Sequence, residues 1–371
     1  MDKVLILDTT LRDGEQAPFV IFTLDEKIRI AKKLDELGVD IIEAGIPAMG
    51  STEMDSISAI IGLKTCAQIL TWNRLDVEDI KKSIECGAKN VHLAVPASDL
   101  HIREKLNQTR AWVLKTIQSV VDFAVSKGLS VSVGAEDASR ADRKFLKKLY
   151  CTAIKAGATR VRYADTVGIQ EAFGAYDEIK QLKEYIDRPL DYHGHNDFGM
   201  ATANAFSAYR AGADVISCTV NGLGERAGNT PLEEFVMTLK HIARVSVNIK
   251  TEKLQEISQL VEVFSRRRVN EGKAIVGSQV YCHESGIHVD GLLKDMRTYQ
   301  PFPPEDAGAA TRFVFGKFSG ENAIAFFCKQ KGYKNSESER RDFLKVFREA
   351  YRNEKKIFPE QFLEEYFKAN A

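Results

Sequence analysis

Short runs of aliphatic residues recur along the first two-thirds of the chain, at 4–8, 41–44, 68–71, 91–95, 130–134, 160–163, 190–193 and 215–219. Most are apolar at nearly every position, the pattern of a strand covered on both faces, as in a parallel sheet. Between them apolar residues return every three or four positions, over 24–37, 77–86, 111–127, 144–156, 172–186 and 200–211. That is the period of a helix with one buried face. Gly38, Gly87, Gly128, Gly157 and Gly212 follow strand-leading helices, where a residue free to turn left-handed ends a helix. Eight strand–helix alternations predict an α/β fold, a closed (β/α)8 TIM barrel. The pattern stops near Val247, and 250–371 reads as mostly helical and charged, broken by YQPFPPEDAGAA at 299–310, whose prolines suggest a linker. The expected organisation is a barrel over 1–249 and a helical C-terminal region over 250–371.

Charge narrows the function. Lys+Arg and Asp+Glu are both 52, so no basic field is available for nucleic acid or an anionic membrane. No apolar stretch approaches 18 residues, and Met1-Asp2-Lys3 leads straight into the first strand without a signal-peptide pattern, so a cytoplasmic, small-molecule protein is expected. Six scattered cysteines with no CxxC pair fit reduced thiols rather than a disulfide framework.

In such a barrel functional groups sit at the C-terminal ends of strands. The chain places Asp8 to Gln16 after the first strand, Glu43 after the second, Asn73 and Arg74 after the third, and Glu136 and Asp137 after the fifth. Asp165 and Thr166 follow the sixth, His193 and His195 stand at the seventh, and Asn221 to Arg226 follow the eighth. Residues i and i+2 of a strand face the same way, so His193 and His195 have the spacing of two imidazole ligands. A strand cap beside a solvated histidine is the alternative. Asp13 is the expected third ligand, because strands one, seven and eight are neighbours in a closed ring. Such a set admits Mg2+, Mn2+, Zn2+, Co2+ or Fe2+. Arg12 would offer a fixed cation to a developing oxyanion, or serve an ion pair with Glu15 or Glu43. Asp8 is expected to orient Arg12 or a ligand. NGLGERAGN at 221–229 lacks the Lys and Ser/Thr of a P-loop.

The stretches LDTTLRDGEQAP (7–18), EAGIPAMG (43–50), GAEDASRAD (134–142), ADTVG (164–168), HGHNDFGMATANA (193–205), NGLGERAGN and ESGIHVDGLL (284–293) resemble, in this order, the DRE-TIM metallolyase superfamily. Within it they are similar to the acyl-CoA-dependent 2-oxoacid synthases, isopropylmalate and homocitrate synthases among them. EAGIPAMG and VGAEDASRAD are most similar to the homocitrate synthases of nitrogenase cofactor assembly. The resemblance implies that Asp13, His193 and His195 hold a divalent metal, with Mg2+, Mn2+ and Zn2+ foremost. It implies Arg12 at the keto group, Thr166 at the 2-oxoacid carboxylate, and Glu136 and Arg74 beside the substrate. Glu225 would pair with a base, His288, and Tyr299 would follow in a lid that enters the partner's barrel, so a homodimer is implied.

The reaction implied is a Claisen-type condensation of acetyl-CoA with 2-oxoglutarate followed by thioester hydrolysis, the work of an EC 2.3.3 acyltransferase. Phe19, Phe22 and Phe318 depart from the residues usual in relatives. Ser132 and Gly134 stand where lysine-pathway homocitrate synthases carry an Arg and a Ser for the distal carboxylate. Oxaloacetate, as in a Re-citrate synthase, 2-oxoisovalerate, pyruvate and phosphonopyruvate therefore stay open as acceptors. A hydroxymethylglutaryl-CoA-lyase-like C–C lyase is the reading in the cleavage direction, and it has no need of so long a C-terminal region.

Overall fold

Eight parallel strands close into a ring in sequence order in a computed structural model that describes residues 4–353 and 359–369. They are β1 (Leu5–Asp8), β2 (Ile41–Gly45), β3 (Gln68–Arg74), β4 (Asn90–Pro96), β5 (Ser130–Glu136), β6 (Arg160–Asp165), β7 (Leu190–Gly194) and β8 (Val215–Cys218). Around them run α1 (Leu24–Leu37), α2 (Ser51–Gly62), α3 (Val77–Glu85), α4 (Arg110–Ser126), α5 (Arg143–Lys155), α6 (Ala172–Lys183), α7 (Ala201–Arg210) and α8 (Leu232–Thr238). The ring closes where Leu5 pairs with Val215 and Asp8 with Cys218. Every strand therefore ends at the same mouth, and the TIM barrel read from the sequence is the observed fold.

Local chemistry sets the helix ends. Thr23 Oγ1 accepts from Glu26 N–H while the Glu26 carboxylate accepts from Thr23 N–H, a reciprocal cap that starts α1. The helix ends at Gly38 with φ 98°, where a Cβ would lie 2.3 Å from the Asn248 carbonyl oxygen. Only glycine fits that close approach. Asp76, Thr109 and Asp142 cap α3, α4 and α5 with their side chains. Leu7, Ile41, Leu70 and Val215 pack together as one layer inside the ring.

The first compact unit reaches Val269 rather than stopping at 249. Helix α9 (Leu254–Ser265) buries Leu254, Ile257 and Val261, and Ser258 grips the turn after β8. Its hydroxyl donates to Asn221 Oδ1 at 2.6 Å and its carbonyl accepts from Asn221 Nδ2 at 3.0 Å. Asn221 holds φ 61°, so α9 helps fix the backbone that leads to Glu225.

The second unit, Asn270–Ala371, has its own core. Strands β9 (Cys282–His283) and β10 (Arg312–Phe313) pair in parallel, with α10 (Gly286–Lys294), α11 (Glu321–Lys331), α12 (Glu337–Asn353) and α13 (Pro359–Ala369). Phe315, Phe327, Phe343, Phe347 and Phe367 form an aromatic centre. The proline stretch read as a linker lies inside this unit: Pro304 is buried and opens a short turn over Pro304–Ala307. Among the described residues no helix is long and apolar enough to cross a membrane.

Candidate active site and metal centre

The turn after β1 is shaped by Asp8. Its carboxylate accepts from Thr10 N–H at 2.9 Å and from Thr10 Oγ1 at 3.0 Å, and Thr10 Oγ1 accepts from Val220 N–H at 2.9 Å. Asp8 thus ties the turn to β8, where the sequence suggested it would orient Arg12 or a ligand. The turn carries Asp13 towards β7. Asp13 Oδ2 lies 3.0 Å from His193 Nε2 and 3.9 Å from His195 Nε2, and the two imidazole nitrogens are 3.2 Å apart. All three side chains are buried, with their candidate ligand atoms within 4.8 Å of one another. Two ring nitrogens and a carboxylate oxygen converging in this way form a donor set that fits a divalent cation.

The protonation states suit that fit. Burial alone would raise the Asp13 carboxyl, but Arg12, 3.1 Å away, and His193 outweigh it and hold it well below the usual carboxylate range. Burial and the neighbouring His193 push His195 down to about 4, so its imidazole is neutral at pH 7. No proton has to leave either ligand at neutral pH.

Arg12 is both a cavity residue and a member of an ion pair, joining the two roles the sequence left open. Its Nε donates to Glu43 Oε1, its Nη1 to Gln16 Oε1 at 3.2 Å, and its guanidinium stacks 5.7 Å from the Trp72 ring centre. Glu43 is the hub of a buried chain across the barrel. Thr9 Oγ1 donates to Glu43 Oε1 at 3.0 Å, and Arg162 donates from Nη2 to Glu43 Oε2 at 2.9 Å and from Nε to Asp191 Oδ2 at 2.6 Å. Ser217 closes the chain on Asp191 at 2.9 Å. Burial would raise the Glu43 carboxyl, yet Arg12 and Arg162 hold it far below its ordinary value.

These groups open on a cavity of about 220 Å³ at the C-terminal mouth. Thr166, Glu136 and Glu225 line it with the triad and Arg12. Thr166 Oγ1 accepts from Asp137 N–H at 2.8 Å, which leaves its own hydroxyl proton for another acceptor. Lys105 Nζ holds the Glu136 carboxylate at 2.7 and 2.9 Å. Arg226 forks onto Asp197 at 2.7 and 2.9 Å and donates to the Thr166 carbonyl at 2.8 Å. Arg74 is not part of this group: Asp79 at the start of α3 captures its guanidinium at 2.7 and 2.8 Å. Arg226, expected after the eighth strand, lines the cavity, and so do Trp72, His92, Lys105 and Arg162, which the sequence reading did not single out. The signal for Arg162 was available: a charge inside the strand RVRYAD on alternate positions from Val161 and Tyr163 points into the ring. In the second unit His288 and Tyr299 stack with ring centres 4.2 Å apart. Tyr299 lies over Gly291, where a Cβ would come within 2.7 Å of its ring.

Burial lifts the Asp8 carboxyl from 3.8 to about 7 against its Thr10 hydrogen bonds, with Glu233 and Glu43 adding to the rise. The folded chain keeps this proton to about pH 7 while an unfolded one loses it near 4. Its contribution to stability is therefore full below pH 4 and is lost as the pH climbs to 7. Asp8→Asn should flatten that part of the stability profile and gain on the parent at pH 8 relative to pH 5. Urea unfolding at the two pH values measures this, and an equal difference in both proteins would refute it.

Donors for a cation beside a fixed guanidinium, in a mouth lined by further cations, equip a barrel enzyme to act on an anionic carbonyl compound with metal assistance. The chain belongs to the HMGL-like family, which residues 3–261 match, and residues 275–355 match a homocitrate synthase post-HMGL domain-like region. It is 48% identical over 336 residues to 2-isopropylmalate synthase 2 of Caldanaerobacter subterraneus subsp. tengcongensis, covering 91% of this chain and 88% of that protein. It is also 48% identical over 332 residues to homocitrate synthase 1 of Nostoc sp., covering 90% of this chain and 88% of the relative. With such relatives the chain is an acyltransferase of the class that converts acyl into alkyl on transfer. The barrel is similar in fold to hydroxymethylglutaryl-CoA lyase from Pseudomonas aeruginosa, with TM-score 0.66 and 21% identity over 73% of this chain and 96% of that one.

Proposed function

We propose that this chain is a homocitrate synthase, joining acetyl-CoA to 2-oxoglutarate and hydrolysing the thioester to release CoA. The observation that carries the reading is the single cavity in which Asp13, His193 and His195 stand beside Arg12, Thr166 and Glu136. A divalent ion held by the triad would supply Lewis acidity to the keto group. The Thr166 hydroxyl donates to the 2-oxoacid carboxylate. Arg12, fixed by Glu43, Gln16 and Trp72, donates to the keto oxygen as negative charge gathers there.

In this reading His288, paired with Glu225, removes a methyl proton from acetyl-CoA, and the resulting carbon nucleophile attacks the keto carbon. Tyr299 closes over the reactants with His288. Water then cleaves the thioester, so that acetyl-CoA, 2-oxoglutarate and water give homocitrate and CoA. Both lid residues come from the partner in a cytoplasmic homodimer. A second reading, with 2-oxoisovalerate as the acceptor, is favoured by the equal identity to 2-isopropylmalate synthase 2.

The deciding experiment is thiol release from acetyl-CoA with a panel of 2-oxoacids. Strong turnover with 2-oxoglutarate is expected, and preference for 2-oxoisovalerate, oxaloacetate or pyruvate would replace that assignment. Lid exchange has its own test. His288→Ala and His195→Ala proteins, each inactive alone, should regain CoA release when mixed under subunit exchange, because one chain keeps the base and the other the triad. Heterodimers without recovery would place the lid in its own chain or deny His288 the role of base.

A further inference from the structure

Arg12 and Arg162 line the cavity at the mouth, and both meet carboxylates there, Arg12 on Asp13 and Glu43 and Arg162 on Glu43 and Asp191. Arg160 does not. It precedes Arg162 by two residues on β6, so its side chain enters the ring on the same face, nearer the N-terminal end. Among the described residues its guanidinium has one hydrogen-bond partner, the Ser132 hydroxyl, which accepts from Nε at 3.3 Å. The Nη groups, the prongs that would grip a carboxylate, are without one. The carboxylates beside it are committed elsewhere. Asp191 accepts from Arg162 Nε at 2.6 Å and Ser217 Oγ at 2.9 Å. Asp40 accepts from Ile6 N–H at 2.9 Å and Asp214 from Leu190 N–H at 2.7 Å. Burial pulls the Arg160 pKa below its ordinary value, as a cation short of both water and a counter-charge requires.

Arg160 lines a second cavity, of about 180 Å³, at the N-terminal ends of the strands and so at the opposite end of the barrel from the triad. Its floor is the apolar layer of Leu5, Ile41, Leu70 and Val215, and Gln68, Ser130 and Pro189 stand exposed at its rim. The rim hydroxyls have no proton to spare. Thr159 Oγ1 donates to the Val131 carbonyl at 3.1 Å, so Ser130 Oγ, 2.9 Å away, must donate to Thr159. Asn90 Nδ2 spends one of its protons on the Ile69 carbonyl at 3.1 Å. The donors left for a ligand are the Arg160 prongs and the carboxamides of Gln68 and Asn90. A carboxylate offers a guanidinium fork the two oxygens it fits and brings an alkyl body for the floor to cover. A phosphate presents more oxygens than these donors serve, and it has no apolar part.

We propose that the N-terminal end of the barrel is a second binding site, which takes a short aliphatic carboxylate with its two oxygens on Arg160 and its alkyl chain on the layer of Leu5, Ile41, Leu70 and Val215. The site is separate from the mouth and independent of the reaction assigned to it. Charge gives it selectivity for the acid over the neutral amide of the same shape, and the floor gives it selectivity for an alkyl acid over an inorganic anion. Ser132 holds the guanidinium by Nε, which leaves the Nη edge to face the ligand.

The test reads binding, with isovalerate as the probe, isovaleramide as its uncharged counterpart and inorganic phosphate as an anion without an alkyl body. Calorimetry on wild type should show isovalerate bound, with isovaleramide weaker by about tenfold to a hundredfold, the worth of a hydrogen bond to a charged group. Arg160→Met should weaken isovalerate to the same degree, whereas Arg12→Lys should keep its binding, since the ligand sits away from the mouth. Methyl resonances of Leu5, Leu70 and Val215 should move on titration in wild type and stay still in Arg160→Met. Arg160→Met should also resist urea at least as well as wild type, because it removes a cation that lacks a counter-charge. Arg160→Lys keeps the charge without the fork, so it should bind more weakly than wild type, and it serves as the comparison if the methionine variant does not fold. Each of these results supports the site. A wild type that binds no isovalerate, equal binding of acid and amide, or tighter binding of phosphate would overturn the proposal. So would floor methyls that do not move, binding unchanged in the Arg160 variants, or binding lost in Arg12→Lys.

Discussion

His195→Ala should lower CoA release on the order of a thousandfold or more while the barrel stays folded. The loss follows from the donor set. Asp13, His193 and His195 offer three ligating atoms within 4.8 Å, and removing one leaves two donors to compete with water for the cation. Lewis-acid assistance is worth several kcal/mol at a developing oxyanion, and each 1.4 kcal/mol is about tenfold in rate. The fold should tolerate the change because His195 lies at the functional mouth, in the loop just after β7, and its buried Nδ1 has no hydrogen-bond partner to lose. The measurement pairs CoA release with metal content by elemental analysis. Full activity in metal-depleted His195→Ala protein would remove the triad from the mechanism.

Glu43→Gln should destabilise the barrel by about 3–5 kcal/mol, the usual cost of removing one partner from a buried ion pair. Here one carboxylate serves two guanidiniums, Arg12 on Oε1 and Arg162 on Oε2. A neutral amide keeps the shape, but its NH2 end would face an arginine donor with nothing to accept. Arg162 keeps Asp191 as a counter-charge, and Arg12 keeps Asp13. Arg12 is then drawn towards the triad, so turnover should fall along with stability. Urea unfolding gives the first effect and CoA release the second. A variant as stable as the parent would mean that the barrel interior is wetter around Glu43 than its burial indicates.

The sequence carried the repeating frame because each strand is buried on both faces and each helix on one, and these periods need no knowledge of partners. The eight strands fall where the apolar runs lie, although β3, β5 and β6 extend past them to Arg74, Glu136 and Asp165. The residue that ends each extension is polar and stands at the mouth, which is why an apolar pattern stops short of it. Helix α2 begins at a Gly50 N-cap without a side-chain hydrogen bond, so it lacked the capping signal that marks α1.

At the site, Asp13 could be paired with His193 and His195 because ring closure leaves β8 alone between β1 and β7. The chain from Glu43 through Arg162 to Asp191 was not legible. Its members are 119 and 29 residues apart, and only folding shows that three strands aim them at one axis. Arg74 stands at a strand end as read, and its pairing with Asp79, five residues on, was not legible either.

Ring closure also sets a timetable for synthesis. The bond from Val220 N–H to Thr10 Oγ1 spans 210 residues, and β1 meets β8 only when both have left the ribosome. At about 5–20 residues per second, the first strand waits roughly ten to forty seconds with one edge unpaired, exposed to other nascent chains. Asp13 and His193 are translated at opposite ends of that interval. A divalent ion can therefore reward the finished ring but not a half-made one, and the emerging chain depends on shelter rather than on metal until its eighth strand arrives.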